Sequence, residues 1–132
     1  MDFANVNTIA VIVAAVAGFA VGAVWYALLF SKPWLAAVGF TEADVKQGRS
    51  ALPFVFSAIA LLIMAWVLSS IVAPADGNGR GILVGLILWL GFTATTTVVN
   101  YAYAARKPAL MAIDAGHWLA VAVAMGAIIG AF

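Results

Sequence analysis

Asp114 and His117 are the titratable residues that an otherwise apolar stretch has least reason to carry. They stand three positions apart in Ile113-Asp114-Ala115-Gly116-His117, so a helix puts them on one face with the imidazole one turn further along. Inside a bilayer a centrally placed Asp costs at least about 2.5–3.5 kcal/mol, and intramembrane carboxylates commonly serve ion or proton pathways. With the carboxylate as the charge and His117 as a titratable partner, the pair could bind a proton or a cation. A second polar set, Thr93, Thr96 or Thr97, and Asn100, recurs at helical spacing just upstream. Asn100 lies across a short break from Asp114 and at about its depth, so the two sets can meet. The same residues also admit a structural reading. Asp114 falls about six residues, or about 9 Å, into its helix, where the helix dipole favours a carboxylate, and it could pair with Arg106 or Lys107. His117 could then donate to Asn100 or to a backbone carbonyl.

Other chemistries are excluded residue by residue. The chain has no cysteine, which removes disulfides, thiolate metal sites, iron–sulfur clusters and cysteine nucleophiles. One histidine and one nearby carboxylate fall short of the three or four ligands zinc takes, so no metal site is expected. No serine has an evident base beside it, and no glycine-rich phosphate loop follows a strand. No catalytic residue, no cofactor and no enzymatic activity are expected. A net charge of +1 argues against a nucleic-acid partner.

The elements that must position Asp114 follow from composition. The 132 residues are 67% hydrophobic and 8% charged, with a mean hydropathy of +1.16. Soluble domains carry about 25% charged residues, and a soluble chain this short buries only about 60–70% of its surface. The lipid bilayer is therefore the expected solvent. Apolar runs from about Thr8 to Phe30, Pro53 to Val72, Gly81 to Tyr101 and Ala109 to Gly130 are each long enough to cross about 30 Å of hydrocarbon. The reading is an all-α integral membrane protein, a single domain over residues 1–132 forming a bundle of four transmembrane helices with short loops. Asp2 stands where a signal peptide has positive charge and the first run is too long for its apolar core, so the first run reads as a retained span. The breaks are Ser31-Lys32-Pro33, Pro74 to Gly79, and Arg106-Lys107-Pro108. The last two are short, so the helices they join are expected to pack as antiparallel neighbours. In the longer first loop, Thr41-Glu42-Ala43-Asp44 reads as a capped helix start, giving either a short interfacial helix or a solvated connector. Lys32, Lys46, Arg49, Arg106 and Lys107 share one side of the membrane and Arg80 marks the other. The positive-inside rule then makes loops one and three cytoplasmic and sends both termini outward.

Small residues recur every four positions, at Ala14, Gly18 and Gly22, at Gly81 and Gly85, and at Ala122, Gly126 and Gly130. Such ridges let helix backbones approach, either within one bundle or, for Gly126 and Gly130, against another subunit. Trp25, Tyr26, Trp34, Tyr101 and Tyr103 sit at span ends, where rings anchor helices at headgroup depth. Trp89 falls mid-span, facing lipid or the interior. Lys32-Pro33 to Val38 can also be laid over Lys107-Pro108 to Ile113 as a candidate duplication.

The segments Gly22-Ala23-Val24-Trp25-Tyr26 and Leu29-Phe30-Ser31-Lys32-Pro33-Trp34 resemble the opening signature of a bacterial membrane family catalogued as domain of unknown function 1761. Gly85 to Phe92, Asn100-Tyr101 and Ile113-Asp114-Ala115-Gly116 extend the resemblance over nearly the whole chain. It implies a compact four-helix membrane protein and marks Trp25, Tyr26, Trp34, Asn100, Asp114 and Gly116 as pattern positions, without assigning them an activity. The function expected first is association, as a homo-oligomer or as an accessory subunit of a larger membrane complex. The alternative is a small ion or proton channel or transporter using Asp114, His117, Asn100 and the threonines. Lipid handling through Lys32, Arg106 and Lys107 comes third.

Overall fold

A computed structural model describes residues 1–48, 50–73 and 76–132. Arg49 of the first loop and Pro74-Ala75 of the second break lie outside the described residues. Every regular element described is helical. Helix α1, Thr8–Leu29, starts where the Asn7 side chain accepts from the amides of Ile9 and Ala10, both at 3.1 Å, a side-chain cap that satisfies two otherwise unpaired donors. Helix α2 covers Ser31–Val38 and stops at Gly39, whose φ of 83° is a conformation that suits glycine. Helix α3, Glu42–Gln47, opens on Thr41 as expected. There Thr41 and Asp44 form a reciprocal box, with the Asp44 amide donating to the Thr41 hydroxyl (3.2 Å) and the Thr41 amide donating to the Asp44 carboxylate (2.7 Å).

Helix α4, Leu52–Ile71, carries Pro53 in its first turn, where a missing N–H costs nothing. Helix α5 is Gly77–Tyr103 and helix α6 is Pro108–Ala131. Together with α1 and α4 they make four helices long and apolar enough to cross a membrane. The two aligned Lys-Pro segments open unlike elements, an 8-residue helix and a 24-residue span. Their likeness is not carried into the fold.

Helix α6 is the centre of the molecule, and its small residues are the reason. Gly126 lies against the Gly81 backbone so closely that a Cβ on either would collide with the other's carbonyl oxygen. A Cβ on Gly85 would come within 2.5 Å of the Ala122 carbonyl, and one on Gly130 would strike the Gly77 carbonyl. The Gly126–Gly130 ridge therefore packs on α5 inside the chain and does not face another subunit. On the other side of α6, Gly18 of α1 meets Met125, at 2.7 Å from where its Cβ would be, and Leu61 of α4, at 2.9 Å. Ala10, Ala14, Leu61, Ala65, Leu68, Val121, Met125 and Ile129 form the core around these contacts. Close packing of this kind is what associates helices in lipid, where no hydrophobic force acts between them.

One expected neighbour relation fails. Short loop notwithstanding, α4 and α5 barely touch, because the glycine face of α5 is taken by α6 while α4 packs on α1. At the end where α1 runs into α2, the Lys107 ammonium donates to the Ala36 carbonyl at 3.3 Å, so the first and third connections share one end of the bundle. The Asp2 amide donates to the Ser70 carbonyl at 2.8 Å at the opposite end.

Candidate functional site

Asp114 of α6 accepts a hydrogen bond at each carboxylate oxygen. Tyr26 Oη of α1 donates to Oδ1 at 2.7 Å, and Tyr101 Oη of α5 donates to Oδ2 in a shorter bond. The carboxylate is half-buried between three helices. Its expected ion pair with Arg106 or Lys107 is replaced by the two phenols, which satisfy it without bringing a second charge into the bundle.

The peptide groups on either side of Asp114 are gripped as well. Trp25 Nε1 donates to the Ile113 carbonyl at 3.0 Å, and Trp89 Nε1 donates to the Ala115 carbonyl at 2.9 Å. Both tryptophans begin a π-helical turn, Trp25–Leu29 in α1 and Trp89–Ala94 in α5. In the first, the Phe30 amide reaches back five residues to the Trp25 carbonyl at 2.8 Å. A wide turn breaks the 3.6-residue phase of α1 where the consecutive side chains Trp25 and Tyr26 both bond α6. Such turns recur at functional sites. In the second, threonine hydroxyls fill the carbonyls around the wide turn. Thr95 Oγ1 donates to Gly91 O (2.9 Å) and Thr96 Oγ1 donates to Phe92 O (2.6 Å).

Gly116 completes the local fit. A Cβ there would lie 3.0 Å from Trp25 Cζ2, so the absence of a side chain is what lets the indole lie across α6. His117 is buried, 8% exposed, with ring centroids 4.9 Å from both Tyr26 and Trp118 and 6.4 Å from Trp25. Its Nε2 faces Gly22, 3.2 Å from where a Cβ would be. The contacts described for the imidazole are therefore aromatic rings and a glycine, in place of the expected bond to Asn100 or a carbonyl.

A cavity of about 340 Å³ opens beside Asp114 at the end of the bundle shared by the first and third connections. Trp34 and Val38 of α2, Asn100 and Tyr101 of α5, Arg106, and Asp114 line it. Asn100 thus shares a cavity lining with Asp114. Thr96 is not, since its hydroxyl is turned onto its own helix, and Thr93 and Thr97 are half-buried along α5. Trp25, Tyr26 and Tyr101, expected as surface anchors, bond α6 instead, whereas Tyr103 is 91% exposed and fits an anchor. Trp89 faces the interior. The partners that sequence reasoning missed were Tyr26, Tyr101 and the two indoles. The available signal was that an intramembrane carboxylate needs donors at its own depth.

Fold and site together define a small all-α membrane protein built around an interhelical carboxylate. The chain belongs to the family described as Protein of unknown function (DUF1761), which matches residues 9–130 and so takes in every residue of the site. No curated protein and no solved structure matches it.

Proposed function

We propose that the protein is a small membrane channel or transporter that binds a proton or cation at Asp114, with no catalytic step. The observation carrying this reading is the carboxylate itself. It opens on a cavity while held at each oxygen by one phenol. An ionised carboxylate offers about four acceptor positions, so two remain for a ligand. Asn100 and Tyr101 line the same cavity, and the two indoles keep the α6 backbone from moving as a ligand comes and goes. The basic residues Lys32, Lys46, Arg106 and Lys107 would place the cavity on the cytoplasmic side of an inner membrane, with both termini outward. The test is flux into liposomes containing the purified chain, read with a pH-sensitive dye and with cation-sensitive dyes. Asp114→Asn should abolish a flux that the wild type supports. Wild-type flux in the variant, or none in the wild type, would overturn the reading.

A second reading is association, as a homo-oligomer or an accessory subunit. It draws on α5, which packs on α6 along a narrow glycine face. The rest of the helix turns Leu83, Ile87, Leu90 and Phe92 outward around an open Gly91. Native mass spectrometry from the membrane would show a multiple of 13.7 kDa or a larger assembly with other chains. A lone monomer mass would end this reading.

A further inference from the structure

We infer that the ligand of the Asp114 cavity is a zwitterion, a small molecule or headgroup carrying an ammonium and an acid group within a few bonds of each other. The inference rests on the proposed role of Asp114 as the cation-binding group and adds the second half of the ligand. Among the described residues, the lining carries one charge of each sign. Asp114 supplies the carboxylate, and Arg106 supplies a guanidinium. The neighbouring cation, Lys107, is turned to the Ala36 carbonyl of α2 (3.3 Å), so Arg106 is the cation in the cavity wall.

A bare metal ion or a proton would use Asp114 and leave the Arg106 charge without a counterpart. The volume points the same way. About 340 Å³ falls at the small end of the range of about 300–1,000 Å³ for small-molecule sites. An ammonium is served by the two unused acceptor positions on Asp114, and two aromatic residues, Trp34 and Tyr101, stand in the same lining, a residue type that attracts cations. A phosphate or carboxylate is served by the fork of N–H donors on Arg106, which matches either acid with two parallel hydrogen bonds. Asn100 adds an amide that can donate to the acid or accept from the ammonium. The ligand has two sources, a free zwitterion or the headgroup of an ethanolamine phospholipid. The cavity opens at a bundle end, where headgroups lie.

The experiment uses the full chain in nanodiscs of phosphatidylglycerol, titrated calorimetrically with phosphoethanolamine and, separately, with ethanolamine. Phosphoethanolamine should bind saturably. Ethanolamine should bind roughly tenfold to a hundredfold more weakly, and Arg106→Gln should weaken phosphoethanolamine by a similar factor. Arg106 is exposed and outside the spans, so the variant keeps the fold. A parallel native mass spectrum from mixed nanodiscs identifies the source. Selective retention of phosphatidylethanolamine, lost in Arg106→Gln, supports the inference with the lipid as ligand. Equal binding of ethanolamine and phosphoethanolamine, unchanged by Arg106→Gln, overturns the zwitterion and leaves the cation site standing. No binding of either probe or of the lipid also overturns it. In that case Asp114-dependent flux would preserve the cation site, and its absence would remove both.

Discussion

Tyr26 and Asp114 stand 88 positions apart and are joined by a 2.7 Å hydrogen bond from phenol to carboxylate. The bond ties the end of α1 to the first third of α6, and Tyr101 closes the same carboxylate from α5. Three helices thus meet on one side chain.

Removing one phenol leaves the carboxylate a single donor, and removing both leaves it half-buried with none. Interhelical hydrogen bonds in membranes average about 0.6 kcal/mol and reach about 1.7. Tyr26→Phe and Tyr101→Phe should each destabilise within that range, and the double variant by more than their sum. Unfolding in mixed micelles measures all three, and simple additivity would argue that the phenols act independently.

Two glycines should behave oppositely. Gly126→Ala forces a Cβ into the Gly81 backbone, where nothing can yield, and should cost about 1–3 kcal/mol or more. Gly91→Ala meets nothing within 4 Å and should leave the melting temperature unchanged or higher. A Gly126→Ala protein as stable as the wild type would contradict the backbone-to-backbone seam of α5 and α6.

Gly116→Ala should act through Trp25. Its Cβ displaces the indole and weakens the 3.0 Å bond to Ile113 O, for a loss of about 0.6–1.7 kcal/mol. Trp25→Phe in that background should then add little, whereas the same change in the wild type costs its full amount. A double-mutant cycle with no coupling would separate the two residues.

The cap of α3 sets a pH dependence. The Thr41 hydroxyl first, and the Thr41 amide second, hold the Asp44 carboxyl below its ordinary value of 3.8. A depressed folded-state value means that the stabilisation is complete above the ordinary value and is lost as pH falls through the depressed one. Around neutral pH α3 should therefore be insensitive, with fraying only in strong acid. NMR titration of Asp44 checks this, and Thr41→Ala should move its midpoint back up. A wild-type midpoint at or above the ordinary value would be the contrary result.

Orientation is directly accessible because the chain has no native cysteine. In intact cells an impermeant maleimide should label Asn78→Cys and should reach Lys46→Cys only after permeabilisation. The reverse pattern would invert the proposed topology and move the cavity to the outer side.

The four spans were legible because length and hydropathy are one-dimensional properties, as were Pro53 at a helix start and Thr41 at a cap. That Asn100 lies at the depth of Asp114, lining the same cavity, was legible from position along the spans alone. Rotation about the helix axis was not. Trp25 and Tyr26 are adjacent, and on a regular helix they would point about 100° apart. Both nevertheless bond α6, and a 3.6-residue pattern assigns two neighbouring positions to different faces. Thr96 looked like a member of the polar stripe because spacing cannot tell a hydroxyl that reaches a neighbour from one that bonds its own helix. The Gly126–Gly130 ridge announced a close contact without saying with what, since Gly81 and another subunit offer the same surface to a sequence.

The central place of α6 has a consequence for biogenesis. Polypeptides emerge from the N-terminal side at about 5–20 residues per second, so the 88 positions between Tyr26 and Asp114 take about 4–18 s to synthesise. For that interval Trp25 and Tyr26 sit in the bilayer without their partner, whereas Trp89 and Tyr101, 26 and 13 positions ahead of theirs, wait a shorter time. Assembly of this protein is thus a late docking event. A quality-control protease that recognises unpaired polar groups in lipid would have its window there, before α6 arrives.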